Sequence, residues 1–270
     1  MASIERLSFN QITADRWSLQ QAVEGCLRHG VPSIAIWRHK IQEAGLRAST
    51  SLVKQAGIHV SSVCRGGMFA AGSAAERAKR LEDNFRAVDE AAALAADSLV
   101  LVVGPANGVS LADARSMVQD GVDTLAEYAK PRGVRLGLEP LHPMYAADRS
   151  VLVTLEQALE LAGRHEPSAV GVIVDVFHVW WDPKLYPLLQ EAGNRILGFH
   201  VSDWPVPLPD LLMGRGMMGD GVIEIRQIRE AVDAAGYSGP IEVEIFNQAI
   251  WDLPGDEILA KTVERFERYV

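Results

Sequence analysis

The chain has 270 residues and two cysteines, and its 35 acidic residues outnumber 26 basic ones for a formal net charge of −9. A chain this long can bury a large core without disulfides or a structural metal, and an acid excess without a basic stripe argues against nucleic acid as a partner. Cys26 and Cys64 are isolated, residues 1–20 lack the apolar run of a secretory signal, and no stretch is apolar enough to span a membrane, so a cytoplasmic protein with no membrane partner is expected.

Taken in order, eight short β-branched or apolar runs each lead into a longer amphipathic stretch. The run at 7–10 precedes a helical pattern at 17–29, 33–37 precedes 40–56, 58–64 precedes 73–95, and 98–103 precedes 110–130. In the second half, 134–139 precedes 154–165, 171–177 precedes 183–192, 196–202 precedes 224–235, and 241–246 precedes 256–268. Ser73, Ser110 and Thr154 stand at N-cap positions, and Thr154 with Gln157 spells a capping box. Gly30, Gly57, Gly133 and Gly236 fall where helix C-caps precede strands.

Eight alternations of strand and helix predict an α/β protein, a (β/α)₈ TIM barrel forming a single domain over 1–270. An open doubly wound sheet would carry a Gly-rich loop after its first strand, where this chain has Asn10-Gln11-Ile12-Thr13. The longest irregular stretch, 203–221, is rich in Gly and Pro, and loops of that length are usually functional.

In such a barrel the site gathers at the carboxyl ends of the strands. There the fifth run ends in Glu139, the sixth in Asp175 with His178 three residues on, and the seventh in His200 with Asp203 three residues on. The eighth carries Glu242 and Glu244. Converging carboxylates repel one another unless a cation joins them, and three carboxylates with one imidazole suit Mn²⁺, Mg²⁺ or Co²⁺, with Zn²⁺ also possible. Period-two alternation puts Glu242 and Glu244 on the same face; Glu244, nearer the carboxyl end, is the expected ligand. Glu242 is expected to form a buried pair with Arg135, filling space left by Gly137 and Gly198.

The motifs Leu138-Glu139-Pro140-Leu141, Asp175-Val176-Phe177-His178, His200-Val201-Ser202-Asp203 and Val243-Glu244-Ile245-Phe246 resemble those of the sugar phosphate isomerase/epimerase family, the xylose isomerase-like TIM barrels. The resemblance implies one divalent ion held by Glu139, Asp175, His200 and Glu244. It also implies substrate contacts from His178 and from Arg215 in the long loop. Ketose 3-epimerases of this family carry a further Glu where this chain has Tyr145, so a different substrate is expected.

The implied activity is isomerisation or epimerisation of a small sugar, keto-sugar or sugar phosphate. Glu139 and Glu244 would act as acid and base around an enediolate stabilised by the ion. A lyase removing water from a keto-polyol would pass through the same enolate, and a non-catalytic sugar-binding barrel is the third reading. His142, Arg65 and Trp37, each just after a strand, are further candidates for contact with this small polyhydroxylated carbonyl substrate. Members of the family often assemble, so a homodimer or homotetramer is expected.

Overall fold

A computed structural model describes residues 3–270. Its eight strands close a barrel in sequence order. They are β1 (Leu7–Asn10), β2 (Ser33–Trp37), β3 (His59–Gly67), β4 (Ser98–Val102), β5 (Leu136–Leu138), β6 (Val170–Asp175), β7 (Ile196–Val201) and β8 (Ile241–Val243). All neighbours pair in parallel, and β1 bonds to β8, so the sheet has no free edge. The strands are buried along almost their whole length because helices cover the outside and side chains fill the inside. The accessible surface is 11159 Å², close to the roughly 11,500 Å² expected of a compact chain of this mass.

The expected helices are present, with one division. The pattern at 40–56 folds as two helices, Arg38–Ala44 and Leu46–Ala56, because Gly45 between them takes φ +84°, outside helical space. Ser73, Ser110 and Thr154 each accept a bond from the backbone three residues on. The capping box at Thr154 is shifted: the Gln157 side chain accepts from the Val153 amide. A reciprocal box forms instead at Ser18 and Gln21. None of the helices among the described residues is long and apolar enough to cross a membrane.

Two short helices that the sequence pattern did not predict, Val176–Val179 and Gln248–Trp251, follow β6 and β8. The first turns His178 back toward Asp175, whose Oδ1 caps that helix by accepting from the Phe177 amide at 2.9 Å. The D-x-x-H spacing is thus a strand end plus one helical turn.

The interior of the barrel corrects one expectation. Glu242 does not pair with Arg135. The Arg135 Nε donates to the Asp97 carbonyl at 3.1 Å, below the amino end of β5. Glu242 lies level with His200 in the β7–β8 ladder, farther toward the carboxyl ends. The two side chains therefore sit at different heights. The space beside Gly137 and Gly198 is filled by Ile173: a Cβ at either glycine would stand 2.5 Å and 2.8 Å from its Cδ1. Ile173 packs with Cys64, Val100 and Leu197 as an apolar plug inside the barrel.

Candidate metal centre and active site

Glu139, Asp175, His200 and Glu244 converge above that plug. All four are buried, and one potential ligand atom from each lies within 4.8 Å of the others. Glu139 and Glu244 follow the last residues of β5 and β8, while Asp175 and His200 sit opposite each other in the β6–β7 ladder. Register thus supplies two of the four and the strand ends the other two.

Beside them runs a chain of buried polar groups. Ser8 and Ser61 share a hydrogen bond of 2.7 Å, and Ser61 Oγ donates to Glu242 Oε1 at 2.8 Å. Asn10 Nδ2 donates to Glu242 Oε2 at 3.2 Å and to Glu244 Oε1 at 3.3 Å, and its Oδ1 accepts from Trp37 Nε1 at 2.8 Å. Glu242 Oε2 lies 3.2 Å from His200 Nε2. The other ring nitrogen, Nδ1, lies 3.5 Å from Glu139 and 3.9 Å from Glu244. Glu242 thus faces the back of the ring, and Nδ1 faces the carboxylates.

The donor set fits a cation. Glu139 Oε1 and both His200 nitrogens are buried without a hydrogen-bond partner in the structure, which is costly for polar atoms unless an ion or water completes them. Four carboxylates (Glu139, Asp175, Glu242, Glu244) crowd the site, and Arg215 is the arginine within bonding distance of them. Its Nη1 donates to Asp175 Oδ2 at 2.7 Å and to Glu244 Oε2 at 3.1 Å, and its Nη2 lies 3.1 Å from His178 Nε2. Phe177 and Phe246 lie 4.7 Å and 5.4 Å from the guanidinium.

The carboxylates respond unequally. Burial lifts Glu139 to about 7, against the opposing pull of His200. Burial acts on Glu244 too, but the charge of Arg215 and the nearby His200 outweigh it and hold Glu244 below the usual range. Burial drives His178 down to about 3, so its ring is neutral. Because Arg215 Nη2 donates to His178 Nε2, the ring proton belongs on Nδ1, which is buried with no partner of its own. Burial also pulls His200 down, but the neighbouring carboxylates, Glu242 foremost, override it and raise it well above the ordinary range.

The site opens onto a pocket lined in part by Trp37, Arg65, Tyr145, His178, Arg215 and Phe246. Of the further candidates, Trp37 and Arg65 reach it. His142 does not line it: the His142 Nδ1 accepts from the Met144 amide at 3.1 Å, and its ring packs between Trp181 and Trp204. Trp204 itself stacks on Phe177 at 4.7 Å. Asp203 is no ligand either. It accepts from the Trp204, Gly219 and Ile223 amides at 2.8–3.0 Å and so ties down both ends of the 203–221 loop that delivers Arg215. Tyr145 donates its hydroxyl to the Leu211 carbonyl in the same loop.

Sequence reasoning missed Asn10, Ser61, Cys64 and Arg149. Asn10 ends β1, so the strand-end rule that found Glu139 could have found it. Cys64 and Arg149 line the pocket, but nothing in their local sequence marks them.

The chain resembles known proteins along most of its length. A crystal structure of a protein from Sinorhizobium meliloti 1021 superposes with a TM-score of 0.96 at 45% identity, covering 99% of both chains. A 3-dehydroshikimate dehydratase of Pseudomonas putida is 31% identical over 163 residues, 58% of this chain but 24% of the relative. An inosose isomerase of Halalkalibacterium halodurans is 30% identical over 141 residues, 50% of this chain and 48% of the relative. The chain thus matches about a quarter of the dehydratase and about half of the isomerase. The model of the xylose isomerase-like TIM barrel family matches residues 23–269. With the closed eight-strand barrel and its strand-end cluster, this match shows that the chain belongs to the xylose isomerase-like TIM barrel family.

Proposed function

We propose that the chain is a divalent-metal-dependent isomerase or epimerase of a small polyhydroxylated carbonyl compound. The observation that carries this reading is the buried set Glu139, Asp175, His200 and Glu244, whose ligand atoms converge beside a pocket that Glu139 and Glu244 line. These four residues would hold Mn²⁺, Mg²⁺, Co²⁺ or Zn²⁺, which supplies Lewis-acid charge to stabilise an enediolate.

The chain's own groups handle the proton. Glu244, held ionised beside Arg215, is the base at the α-carbon, and Glu139, through the oxygen it does not give to the ion, is the acid that returns a proton. A positioned base contributes about 10²–10⁴-fold. His178 offers its Nδ1 proton to a substrate oxygen, and Arg215 fixes Asp175, Glu244 and His178 relative to one another. Trp37, Leu141 and Phe246 wall the pocket with apolar surface and limit water around the reactive carbanion.

A second reading, loss of water from a keto-polyol, is favoured by the likeness to a dehydratase. Both readings begin with the same proton abstraction. They separate when keto-polyols are incubated with the Mn²⁺-loaded protein in D₂O. Deuterium retained in an isomeric product supports isomerisation; a product lighter by one water supports elimination. In either case Glu244→Gln and removal of the ion by chelation each abolish turnover, and Mn²⁺ restores it after chelation. Undiminished turnover after either treatment overturns the proposal.

A further inference from the structure

Arg65, in β3, and Arg149, in the segment after β5, line the same pocket as Glu139, His178, Arg215 and Glu244. Both are partly buried. Neither guanidinium forms a hydrogen bond or an ion pair with any side chain or carbonyl among the described residues; the contact of Arg149 is with the Tyr145 ring, 5.7 Å away. Nearby arginines are used differently. Arg38, whose Nη1 reaches the Arg65 carbonyl, is neutralised by Asp83 and Glu90, and Arg215 is neutralised by Asp175 and Glu244.

Two guanidiniums sharing one cleft with no carboxylate bonded to either are unfavourable neighbours, and Glu139 offsets the charge of Arg65 only from a distance. Burial, and next the charge of Arg149, lower the proton affinity of Arg65. Both side chains nevertheless line the pocket.

We infer that the substrate carries an anionic group, a carboxylate or a phosphate, seated between Arg65 and Arg149 while its hydroxyl and carbonyl oxygens face Glu139 and Glu244. A guanidinium binds either group through paired N–H donors, which fixes orientation as well as charge. The seat would place the reacting carbons at the carboxylate floor and would discriminate against neutral sugars of similar shape. This inference rests on the reading of the floor as an enolising site.

Calorimetric binding to the full chain, with and without Mn²⁺, tests it using matched probes. These are 3,4-dihydroxybenzoate against catechol for the carboxylate, and dihydroxyacetone phosphate against dihydroxyacetone for the phosphate. At least one anionic probe is expected to bind about tenfold or more tighter than its neutral twin, and the better pair identifies the group. That advantage falls to within about twofold in Arg65→Met and Arg149→Met and partly returns in the Lys variants. Equal binding of both twins in the unaltered protein overturns the inference, whether or not the variants fold. So does an advantage that survives in both folded Met variants. Dependence of the neutral probes on Mn²⁺ reports separately on the floor: its presence without an anionic advantage sinks the seat alone, and its absence with that advantage sinks the enolising reading alone.

Discussion

Glu242 shows how one buried carboxylate can matter without touching a substrate. It is 2% exposed and held by Ser61 and Asn10, and it faces His200 Nε2 at 3.2 Å. A carboxylate behind a ligating imidazole fixes its tautomer and ring angle, leaving the far nitrogen to the ion. Glu242→Gln is therefore expected to weaken Mn²⁺ binding about 10–100-fold while the fold persists, as read by Mn²⁺ titration and circular dichroism. Unchanged affinity would show that Ser61 and Asn10 alone orient the site. Protons leave when the ion enters, because Glu139 sits near pH 7 and His200 is held charged above it. Each displaced proton weakens affinity about tenfold per pH unit while its group remains protonated. Affinity should thus rise with pH from 6 to 8, and most steeply below 7, where both groups give up a proton. Calorimetry in buffers of different ionisation enthalpy would count those protons, and a pH-independent affinity would contradict the scheme. The four converging residues were legible because each stands at or beside the carboxyl end of a strand. The support was not: Ser61 and Asn10 are ordinary strand residues until barrel closure brings them against Glu242. Arg135 looked a natural partner for Glu242 because alternation gives the face of a strand but not the height along the barrel.

At the level of elements, the 203–221 loop decides whether Arg215 reaches the site. Asp203 binds the amides of Trp204 and Gly219 within the loop and of Ile223 just past it, Asn247 Nδ2 donates to the Arg215 carbonyl at 2.9 Å, and Tyr145 donates to the Leu211 carbonyl. The length and Gly content of the loop mark it in the sequence; its anchors come from three separate parts of the chain and leave no local pattern. Tyr145 illustrates this. Its position suggested only an absent carboxylate, whereas its hydroxyl fastens the loop across the pocket. Tyr145→Phe removes one hydrogen bond worth about 0.5–1.5 kcal/mol. Hydrogen exchange of amides near Leu211 and Leu212 should accelerate about 2–10-fold, with exchange in the barrel strands unchanged. Protection equal to that of the parent protein would mean that Asp203 and Asn247 hold the loop by themselves. Asp203→Asn, which alters the contact that joins both ends, should loosen the loop more than Tyr145→Phe.

The whole molecule is organised around a division inside the barrel, with apolar packing below and buried charge above. Eight continuous apolar runs made the closed barrel readable, since parallel strands are covered on both faces. How its inside is filled depends on side chains from strands far apart in sequence. Ile173 of β6 occupies the space that Gly137 of β5 and Gly198 of β7 leave open, and it packs with Cys64, Val100 and Leu197 beneath the candidate ligands. A methyl added at Gly137 would stand 2.5 Å from Ile173 Cδ1, and a close-packed interior has little room to yield. Gly137→Ala is expected to cost about 1–3 kcal/mol through overpacking. Ile173→Val, which removes that terminal carbon, should cost about 0.5–1.5 kcal/mol alone. Combined, the two should cost less than their sum, because the Cδ1 clash is removed while Cγ1, 2.7 Å from the added methyl, has only to shift. Urea denaturation of the four proteins measures this coupling. Strict additivity would mean that the backbone of β5 moves to absorb the methyl. Mn²⁺ affinity, measured on the same proteins, should fall with Gly137→Ala and recover in the double variant, since Glu139 stands two residues beyond Gly137 on the strand that would be displaced.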